Sequence, residues 1–505
     1  MRLTSFKHKE KQDPIAENPL SSFSFSFSSS TTTSPNPASI PTSPKPSIPT
    51  TTATTAVAAS PAGVFGVRNT PVRIPPGRAT IIPSVQIQAF TAAATSGYTV
   101  SLTLNPRSKT VGGEGYSAAL SAPAPSVQVA NNVLTEVPGR LWKPLPLTPT
   151  TNTTSPKSPN LNASSTTDAE KGEVYALQST DLTTNTVHVL LLPTINLSSW
   201  MSSLPSTDPL SSFCIPGTHE SCALYGWPIS ACQGSTSSIS YQLSRGIRFL
   251  DIRLALKGTP GKQRLYAYHR VTDERIEFSA ILSQVYSFLT ANPSETVLMS
   301  VKQENNMAGF LDSVFTYINQ NLNQWHLGTG MPKLEDVRAK IVLLSRFGSS
   351  TSQPGGIHPP IWPDSSPTPF AYTLPDGCKV VTQDWYNIGS LSAIPTKLKL
   401  IQTLLDMGGS DPAVLGLNFT NGSSFPIALP PFVAKGSGVQ SKGVSGRGWF
   451  SNIGVNALLV DLVATRLKGA FGVRAGLMNI FALDFFDQNN LGADLASLMV
   501  HANFQ

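Results

Sequence analysis

The sequence of 505 residues contains few charged residues and few cysteines. Asp, Glu, Lys and Arg together make up 13% of it, and the four cysteines are Cys214, Cys222, Cys232 and Cys378. Their spacing matches neither a zinc ribbon nor a CxxC redox motif, which excludes both classes. Cys222 and Cys232 could form a disulfide in an oxidising compartment, but buried thiols are an equally good interpretation.

Long apolar runs are also missing. No stretch of 18 apolar residues occurs, so we expect no transmembrane span. The first residues, MRLTSFKHKEKQDPIAE, lack the apolar region of a secretory signal. The sequence therefore leaves the compartment unknown and favours a cytoplasmic protein over a secreted one.

The positive charge is concentrated in the N-terminal part. The chain has a net charge of +7, of which residues 1–200 carry +5 and residues 201–505 carry +2. A nearly neutral C-terminal part lacks the basic surface that binds nucleic acid, so we expect no nucleic-acid partner.

Composition divides the chain into three parts. Residues 1–61 are rich in Ser, Thr and Pro, which predicts a disordered tail. Residues 62–198 contain short alternating runs such as GYTVSLTL, which predict a small β-sandwich-like domain. From 199 to 505 strands alternate with helices, which predicts an α/β fold, a TIM-type (β/α) barrel or a distorted version of one.

Polar residues follow the apolar strands of this third part. Pro216 and Gly217 predict a turn at 215–219 that ends a strand and exposes His219. Other runs that we predict as strands carry the following residues at or near their ends: Asp251 and Arg253, His269, Lys302, Arg346, Asp384 and Tyr386, and Asp484. Because the C-terminal ends of barrel strands converge, these side chains should meet at one mouth.

Two imidazoles with a guanidinium between them suit phosphodiester cleavage. One imidazole removes a proton from the attacking hydroxyl, and the other protonates the leaving oxygen. The guanidinium neutralises the phosphate, while further charged groups and an aromatic ring suit a polyhydroxylated ring.

The motifs IPGTHES, SISYQLSRGIRFLDIRL, YAYHR, NPSETVLMSVKQE, AKIVLLSRFG, TQDWYN and ALDFF resemble those of a known family. That family is the phosphatidylinositol-specific phospholipase C X domain, in its bacterial-type, metal-independent branch. The resemblance runs from about residue 211 to the C-terminus. It implies a phosphodiesterase that cleaves phosphatidylinositol-type phospholipids, and a phospholipid at a membrane surface as partner.

The resemblance also implies roles for individual residues. His219 would be the general base, Asp484 its orienting carboxylate, His269 the general acid and Arg253 the phosphate-binding cation. The substrate-binding group would be Glu220, Asp251, Lys302, Arg346, Asp384 and Tyr386, with Tyr386 stacked on the inositol ring.

We expect no metal and no cofactor. The animal branch of the family binds calcium through carboxylates, and here the cation Arg253 stands in the second acid position. Glu220 replaces the usual Asp after the first His, and Arg270 stands where Gly often follows the second. These departures leave open a non-catalytic module that binds lipid head groups. A metal-dependent enzyme resembling glycerophosphodiesterases, which shares the barrel and the two histidines, is a second alternative.

Overall fold

The computed structural model describes the strands of the N-terminal part and most of residues 195–504. The described N-terminal ranges are 80–86, 98–104, 115–122, 141–145, 148–150, 174–181 and 186–193. The gaps after 195 are at 260, 351–352, 354, 438–451, 470–475 and 490. The predicted disordered tail, 1–61, lies outside the described residues.

Seven strands of the N-terminal part form two antiparallel sheets. The strands are β1 (Thr80–Gln86), β2 (Tyr98–Leu104), β3 (Gly115–Ala122), β4 (Lys143–Pro144), β5 (Thr148–Thr150), β6 (Val174–Asp181) and β7 (Thr186–Pro193). One sheet has the order β1-β7-β6-β4 and the other β2-β3-β5. Trp142 packs in the same apolar cluster as Leu459, and its indole Nε1 donates to Thr465 Oγ1 at 3.3 Å. The boundary at 198/199 stays a prediction.

The remaining strands form the main sheet and a separate two-stranded sheet. They are β8 (Cys214–Thr218), β9 (Phe249–Lys257), β10 (Arg264–His269), β11 (Thr272–Glu277), β12 (Val297–Gln303), β13 (Trp325–His326), β14 (Ile341–Arg346), β15 (Phe370–Thr373), β16 (Lys379–Gln383), β17 (Val414–Phe419), β18 (Gly436–Ser437), β19 (Asn452–Ile453) and β20 (Asn479–Leu483).

Eight helices lie among the described residues. They are α1 (Ile239–Ser244), α2 (Phe278–Ala291), α3 (Phe310–Asn319), α4 (Leu334–Val337), α5 (Ile394–Gly408), α6 (Pro430–Lys435), α7 (Val455–Gly469) and α8 (Leu495–His501). The apolar residues of α2 at i, i+3 and i+4 predict its helical face, and Phe278, Ile281, Leu282, Val285 and Leu289 are buried. None of the helices in the described part of the chain has the length and apolarity to cross a bilayer.

The main sheet is a distorted, open TIM-type barrel. Its order is β13-β14-β12-β9-β8-β20-β17-β16-β15, and all neighbouring pairs are parallel except β15–β16. Within the described residues no ladder joins β14 to β16, so the barrel is open there. The predicted α/β class is confirmed.

The barrel interior is apolar below the ends of the strands. Ile215, Phe249, Phe419 and Ile480 share one buried cluster. Side chains alternate along each strand, so Leu250 points instead to the outer cluster that packs against the helices. Polar side chains are thereby left at the carboxyl end of the barrel.

The predicted turn at 215–219 is wrong, because Cys214–Thr218 forms the buried strand β8. The glycine in it serves close packing: a Cβ on Gly217 would lie 2.6 Å from Phe249 Cβ. His219 follows this strand and is only 6% exposed, less than we expected.

Candidate active site

Strand register aligns the charged residues of three neighbouring strands. Lys302 on β12 pairs with Arg253 on β9 and with Arg346 on β14. One step deeper in the barrel, Ser300 pairs with Asp251. Three cations therefore form a row across the barrel mouth, above a buried carboxylate.

His219 and Asp484 are neighbours because their strands are neighbours. Thr218 at the end of β8 pairs with Leu483 at the end of β20, so the next residue of each strand enters the site. His219 Nδ1 lies 2.8 Å from Asp484 Oδ1. Phe419 contacts the imidazole edge-on, with ring centroids 5.9 Å apart.

The second nitrogen of His219 faces two donors. Arg253 Nη2 lies 2.8 Å from Nε2, and Asn421 Nδ2 lies 3.3 Å from it. Since a guanidinium can only donate, Nε2 accepts and Nδ1 carries the proton that is donated to Asp484. Burial and the charge of Arg253 hold the pKa of His219 well below its usual value, which favours a neutral imidazole.

Arg253 is surrounded by three carboxylates. Its Nη1 lies 2.6 Å from Glu220 Oε1 and 3.5 Å from Glu304 Oε1, and its Nε donates to Asp251 Oδ2 at 3.0 Å. The guanidinium thus occupies the centre of an acidic cluster that would otherwise attract a divalent cation. Our expectation that no metal takes part stays a prediction.

His269 reaches the site from an antiparallel strand. It ends β10, which forms a hairpin beside β9 and runs back towards the barrel, so its position does not follow from the rule for parallel strand ends. His269 Nδ1 donates to the carbonyl of Ser230 at 2.6 Å. Its Nε2 faces Glu220 Oε1 at 3.7 Å.

Asp251 is fully buried, and both of its oxygens have partners. Oδ1 accepts from Ser300 Oγ and Arg346 Nη1, each at 3.3 Å, and Oδ2 accepts from Arg253. Burial alone would raise the pKa of Asp251, but Arg253 and Arg346 hold it below its usual value. These contacts suit a carboxylate that orients two arginines, while direct substrate binding by Asp251 stays a prediction.

The predicted inositol-binding residues lie at the same mouth, each with a protein partner. Lys302 Nζ donates to Glu304 Oε1 at 2.8 Å. The Arg346 guanidinium lies 3.6 Å from the ring centre of Trp362, whose Nε1 donates to Asp384 Oδ2 at 2.8 Å. These residues therefore form one connected layer next to Arg253.

Tyr386 is half-buried, and its hydroxyl donates to Asp364 Oδ1 at 2.7 Å. This hydrogen bond fixes the ring at the end of β16. The expected stacking on an inositol ring stays a prediction.

Sequence reasoning missed Asn421, Trp362 and the Ser230 carbonyl. Asn421 comes two residues after the end of β17, so the rule used for the other strands would have found it. Trp362 and Ser230 lie in connections outside the strands, where the sequence contains no comparable signal.

The two departures from the family pattern have different consequences. Glu220 contacts Arg253 and lies near His269, so the longer side chain still reaches both groups. Arg270 has a φ of +53°, a conformation that favours glycine, and its side chain is exposed.

Comparison with known proteins supports the family resemblance. Residues 206–347 match the family model described as "Phosphatidylinositol-specific phospholipase C, X domain", which confirms the resemblance over that segment. A 1-phosphatidylinositol phosphodiesterase from Listeria monocytogenes is 32% identical over 163 residues, 30% of this chain and 49% of the relative. One from Staphylococcus aureus is 27% identical over 169 residues, 31% of this chain and 53% of the relative. The chain spans about half of the length of these curated relatives.

Similar solved structures are phosphatidylinositol-specific phospholipases C. A mutant from Staphylococcus aureus is 20% identical, with a TM-score of 0.49, and covers 61% of this chain and 98% of its own. The enzyme from Listeria monocytogenes is 24% identical, with a TM-score of 0.43, and covers 61% of this chain and 99% of its own.

Proposed function

We propose that this protein is a phosphodiesterase that cleaves phosphatidylinositol-type phospholipids without a metal ion. One observation carries the proposal, a continuous line of contacts from Asp484 through His219, Arg253 and Glu220 to His269. The line contains an imidazole that can accept a proton and an imidazole that can supply one, with a cation between them.

The surroundings decide which proton each imidazole can exchange. At His219 the lone pair is on Nε2, where it accepts from Arg253, because Nδ1–H is held by Asp484. At His269 the Nδ1 proton is held by the Ser230 carbonyl, which leaves the Nε2 proton as the one to transfer. Glu220 Oε1 lies 3.7 Å from that nitrogen.

The proposed reaction starts when the substrate phosphate binds Arg253. The phosphate gives the guanidinium an anionic acceptor, so the lone pair of His219 Nε2 becomes free. That nitrogen takes the proton of the inositol 2-hydroxyl, and its oxygen forms a bond to phosphorus. The phosphorus–oxygen bond to diacylglycerol breaks, and the leaving oxygen takes the Nε2 proton of His269. The products are a cyclic inositol phosphate and diacylglycerol.

The surface around the site suits a lipid bilayer. Eight of the eleven large apolar side chains that are exposed among the described residues lie in connections at the barrel mouth. We call them the apolar rim: Tyr225, Trp227, Ile229, Val271, Met307, Ile361, Phe425 and Ile427. Lys435 lies 4.5 Å from the ring centre of Trp227, which adds a cation for anionic lipids. The proposal therefore places the enzyme at a membrane surface, as a peripheral protein.

The test incubates the protein with phosphatidylinositol vesicles in EDTA and identifies the products by ³¹P NMR. We expect the protein to form a cyclic inositol phosphate, and His219→Ala to lower the rate by about 10³-fold or more. His326→Ala is the control, because this histidine lies on the edge strand β13 and should leave the rate unchanged.

Three results would contradict the proposal. Equal rates for His219→Ala and the control would remove the catalytic assignment. Vesicle binding without any product would indicate a head-group binding module. Activity that disappears in EDTA and returns with a divalent cation would indicate a metal-dependent enzyme.

A further inference from the structure

A thiol lies behind the two imidazoles and takes no part in the proposed reaction. Cys232 Sγ is 3.9 Å from His269 Nδ1 and 3.7 Å from the Ser230 carbonyl oxygen, and a carboxylate oxygen of Asp484 lies within 4.8 Å of it. The backbone of Cys232 is held on both sides, since its N–H donates to Ala223 O at 2.9 Å and its carbonyl accepts from Phe485 N at 2.7 Å. The sulfur is therefore fixed beside the His219–Asp484 pair.

The three side chains have the composition of a zinc site. One ligand atom from each of His219, Cys232 and Asp484 can be chosen so that all lie within 4.8 Å of one another, and all three residues are buried. Around a tetrahedral zinc ion, with bonds of about 2.0–2.3 Å, such atoms lie roughly 3.4–3.6 Å apart. A pair 4.8 Å apart would therefore close by about 1.2–1.4 Å, and His219 Nδ1 and Asp484 Oδ1, now 2.8 Å apart, would open by about 0.6–0.8 Å.

We infer that His219, Cys232 and Asp484 form an inhibitory site for a thiophilic divalent cation such as Zn²⁺ or Cd²⁺. The inhibition rests on the proposed function, but the binding does not. A nitrogen, a thiolate and a carboxylate are the ligand types that zinc selects, whereas Mg²⁺ and Ca²⁺ prefer oxygen alone. The site differs in this way from the acidic cluster that Arg253 fills.

The proton balance explains why binding would stop the reaction. The cation replaces the proton between His219 Nδ1 and Asp484, and that proton moves to Nε2. The Cys232 thiol becomes a thiolate and releases its proton to solvent, so one proton leaves for each cation bound. With Nε2 protonated, His219 cannot accept the substrate proton, and it loses the hydrogen bond from Arg253.

Binding is tested first, without substrate. The folded full-length protein is titrated with Cd²⁺, and the ultraviolet charge-transfer absorption of a cadmium–thiolate bond is recorded. Cys378→Ser is the matched control, because Cys378 is also a buried free cysteine but is not part of the cluster. Circular dichroism confirms that each variant is folded, and Cys232→Ala replaces Cys232→Ser if the serine does not fold.

We expect the wild type and Cys378→Ser to bind about one Cd²⁺ with this absorption. Cys232→Ser should lose the absorption and bind at least about tenfold more weakly. Unchanged absorption in Cys232→Ser, or no absorption in the folded wild type, would overturn the inference.

Inhibition is tested second, with phosphatidylinositol as substrate. Zn²⁺ should inhibit the wild type and Cys378→Ser, and EDTA should restore the rate. The inhibition constant of Cys232→Ser should be at least about tenfold higher. Equal inhibition of both variants would contradict the inhibitory role. If no variant cleaves the lipid, the proposed function fails while the Cd²⁺ titration still decides whether the site exists.

Discussion

At the scale of single residues, the site depends on groups that can only donate or only accept a proton. Arg253 can only donate to His219, and the Ser230 carbonyl can only accept from His269. Nε2 of His219 is therefore an acceptor and Nδ1 of His269 a donor, and Nε2 of His269 faces Glu220. For His269 to act as the base and His219 as the acid, both Arg253 and the Ser230 carbonyl would have to be replaced by groups of the opposite hydrogen-bonding type.

The lowered pKa of His219 predicts the acidic limit of activity. Burial and Arg253 disfavour the imidazolium, so His219 stays neutral and able to accept a proton at pH values below its usual pKa of 6.5. Activity is lost as pH falls through the lowered pKa, so the acidic midpoint of kcat/KM should lie below 6.5. A midpoint at or above 6.5 in a pH–rate profile would contradict this electrostatic account.

The sequence was informative about residues that follow strands and uninformative about their hydrogen bonds. It predicted that His219, Arg253 and Asp484 meet, because parallel strands end at one mouth. It could not predict that Asp251 is fully enclosed between two arginines, since that depends on the register between β9, β12 and β14. Nor could it predict that Cys232 lies within 4.8 Å of Asp484, which depends on how a loop folds back.

At the scale of elements, β8 is held close to β9 by a residue without a side chain. The nearest atoms to a Cβ on Gly217 would be Phe249 Cβ at 2.6 Å, Phe249 Cδ1 at 2.8 Å and the Phe249 carbonyl oxygen at 2.9 Å. Backbone atoms of a central strand cannot move away easily, and Phe249 is fully buried.

We expect Gly217→Ala to lower the free energy of unfolding by about 2–3 kcal/mol in urea. Gly377→Ala is the comparison, because nothing lies within 4 Å of its Cβ and only its φ of +89° opposes alanine. Gly377→Ala should lower the free energy of unfolding by about 1 kcal/mol. Equal costs for the two variants would show that β8 and β9 can separate without penalty.

Helix α5 buries a lysine against β16. Lys397 Nζ donates to Gln383 Oε1 at 3.1 Å and to the Trp385 carbonyl at 2.7 Å. Burial lowers the pKa of Lys397 from 10.5 to about 7. The unfolded chain therefore binds more protons than the folded protein between about pH 7 and 10.5, and the stability contributed by this residue rises with pH in that range.

Lys397→Met removes this pH dependence. The unfolding free energy of the wild type minus that of the variant should rise by about 2–3 kcal/mol between pH 7 and pH 9, since each pKa unit corresponds to about 1.4 kcal/mol. Urea titrations of both proteins measure it. Parallel stability curves would mean that the amine is charged in the folded protein.

The elements themselves were largely predictable. Apolar periodicity predicted α2 and strand-length runs predicted β9, β12 and β20. The strand β8 was missed, because Pro and Gly usually end regular structure and only the contact with Phe249 explains the glycine.

At the scale of the whole molecule, the barrel mouth combines the charged site with the apolar rim. Trp227 is 58% exposed and Val271 is 93% exposed. Exposed apolar groups that cluster around a polar pocket indicate a surface that meets another apolar phase.

We expect Trp227→Ala to weaken binding to vesicles that contain phosphatidylinositol by about tenfold, because burial of an aromatic side chain contributes roughly 1.5–3 kcal/mol. Sedimentation with sucrose-loaded vesicles measures the binding. Leu322→Ala is the control, because Leu322 is 52% exposed but follows α3, away from the mouth. Equal losses in the two variants would show that the rim does not contact the lipid.

The sequence predicted the barrel class but not its opening. Repeated strand and helix units indicate a parallel barrel, and eight parallel strands are present among the described residues. The opening arises where the chain passes from β14 to β16 without a described helix, and strand patterns do not reveal which strands pair. The small β-sandwich predicted for 62–198 stays a prediction, since the structure describes two antiparallel sheets there without most of their connections.

The central claim, that His219 removes a proton and His269 supplies one, is tested most directly by changing the leaving group. Each variant is assayed with phosphatidylinositol and with an inositol phosphate ester of an acidic phenol, which leaves without being protonated. His269→Ala should lose about 10²–10⁴-fold with the lipid but less than about tenfold with the phenol ester, while His219→Ala should lose heavily with both. Equal losses of His269→Ala on the two substrates would contradict the account.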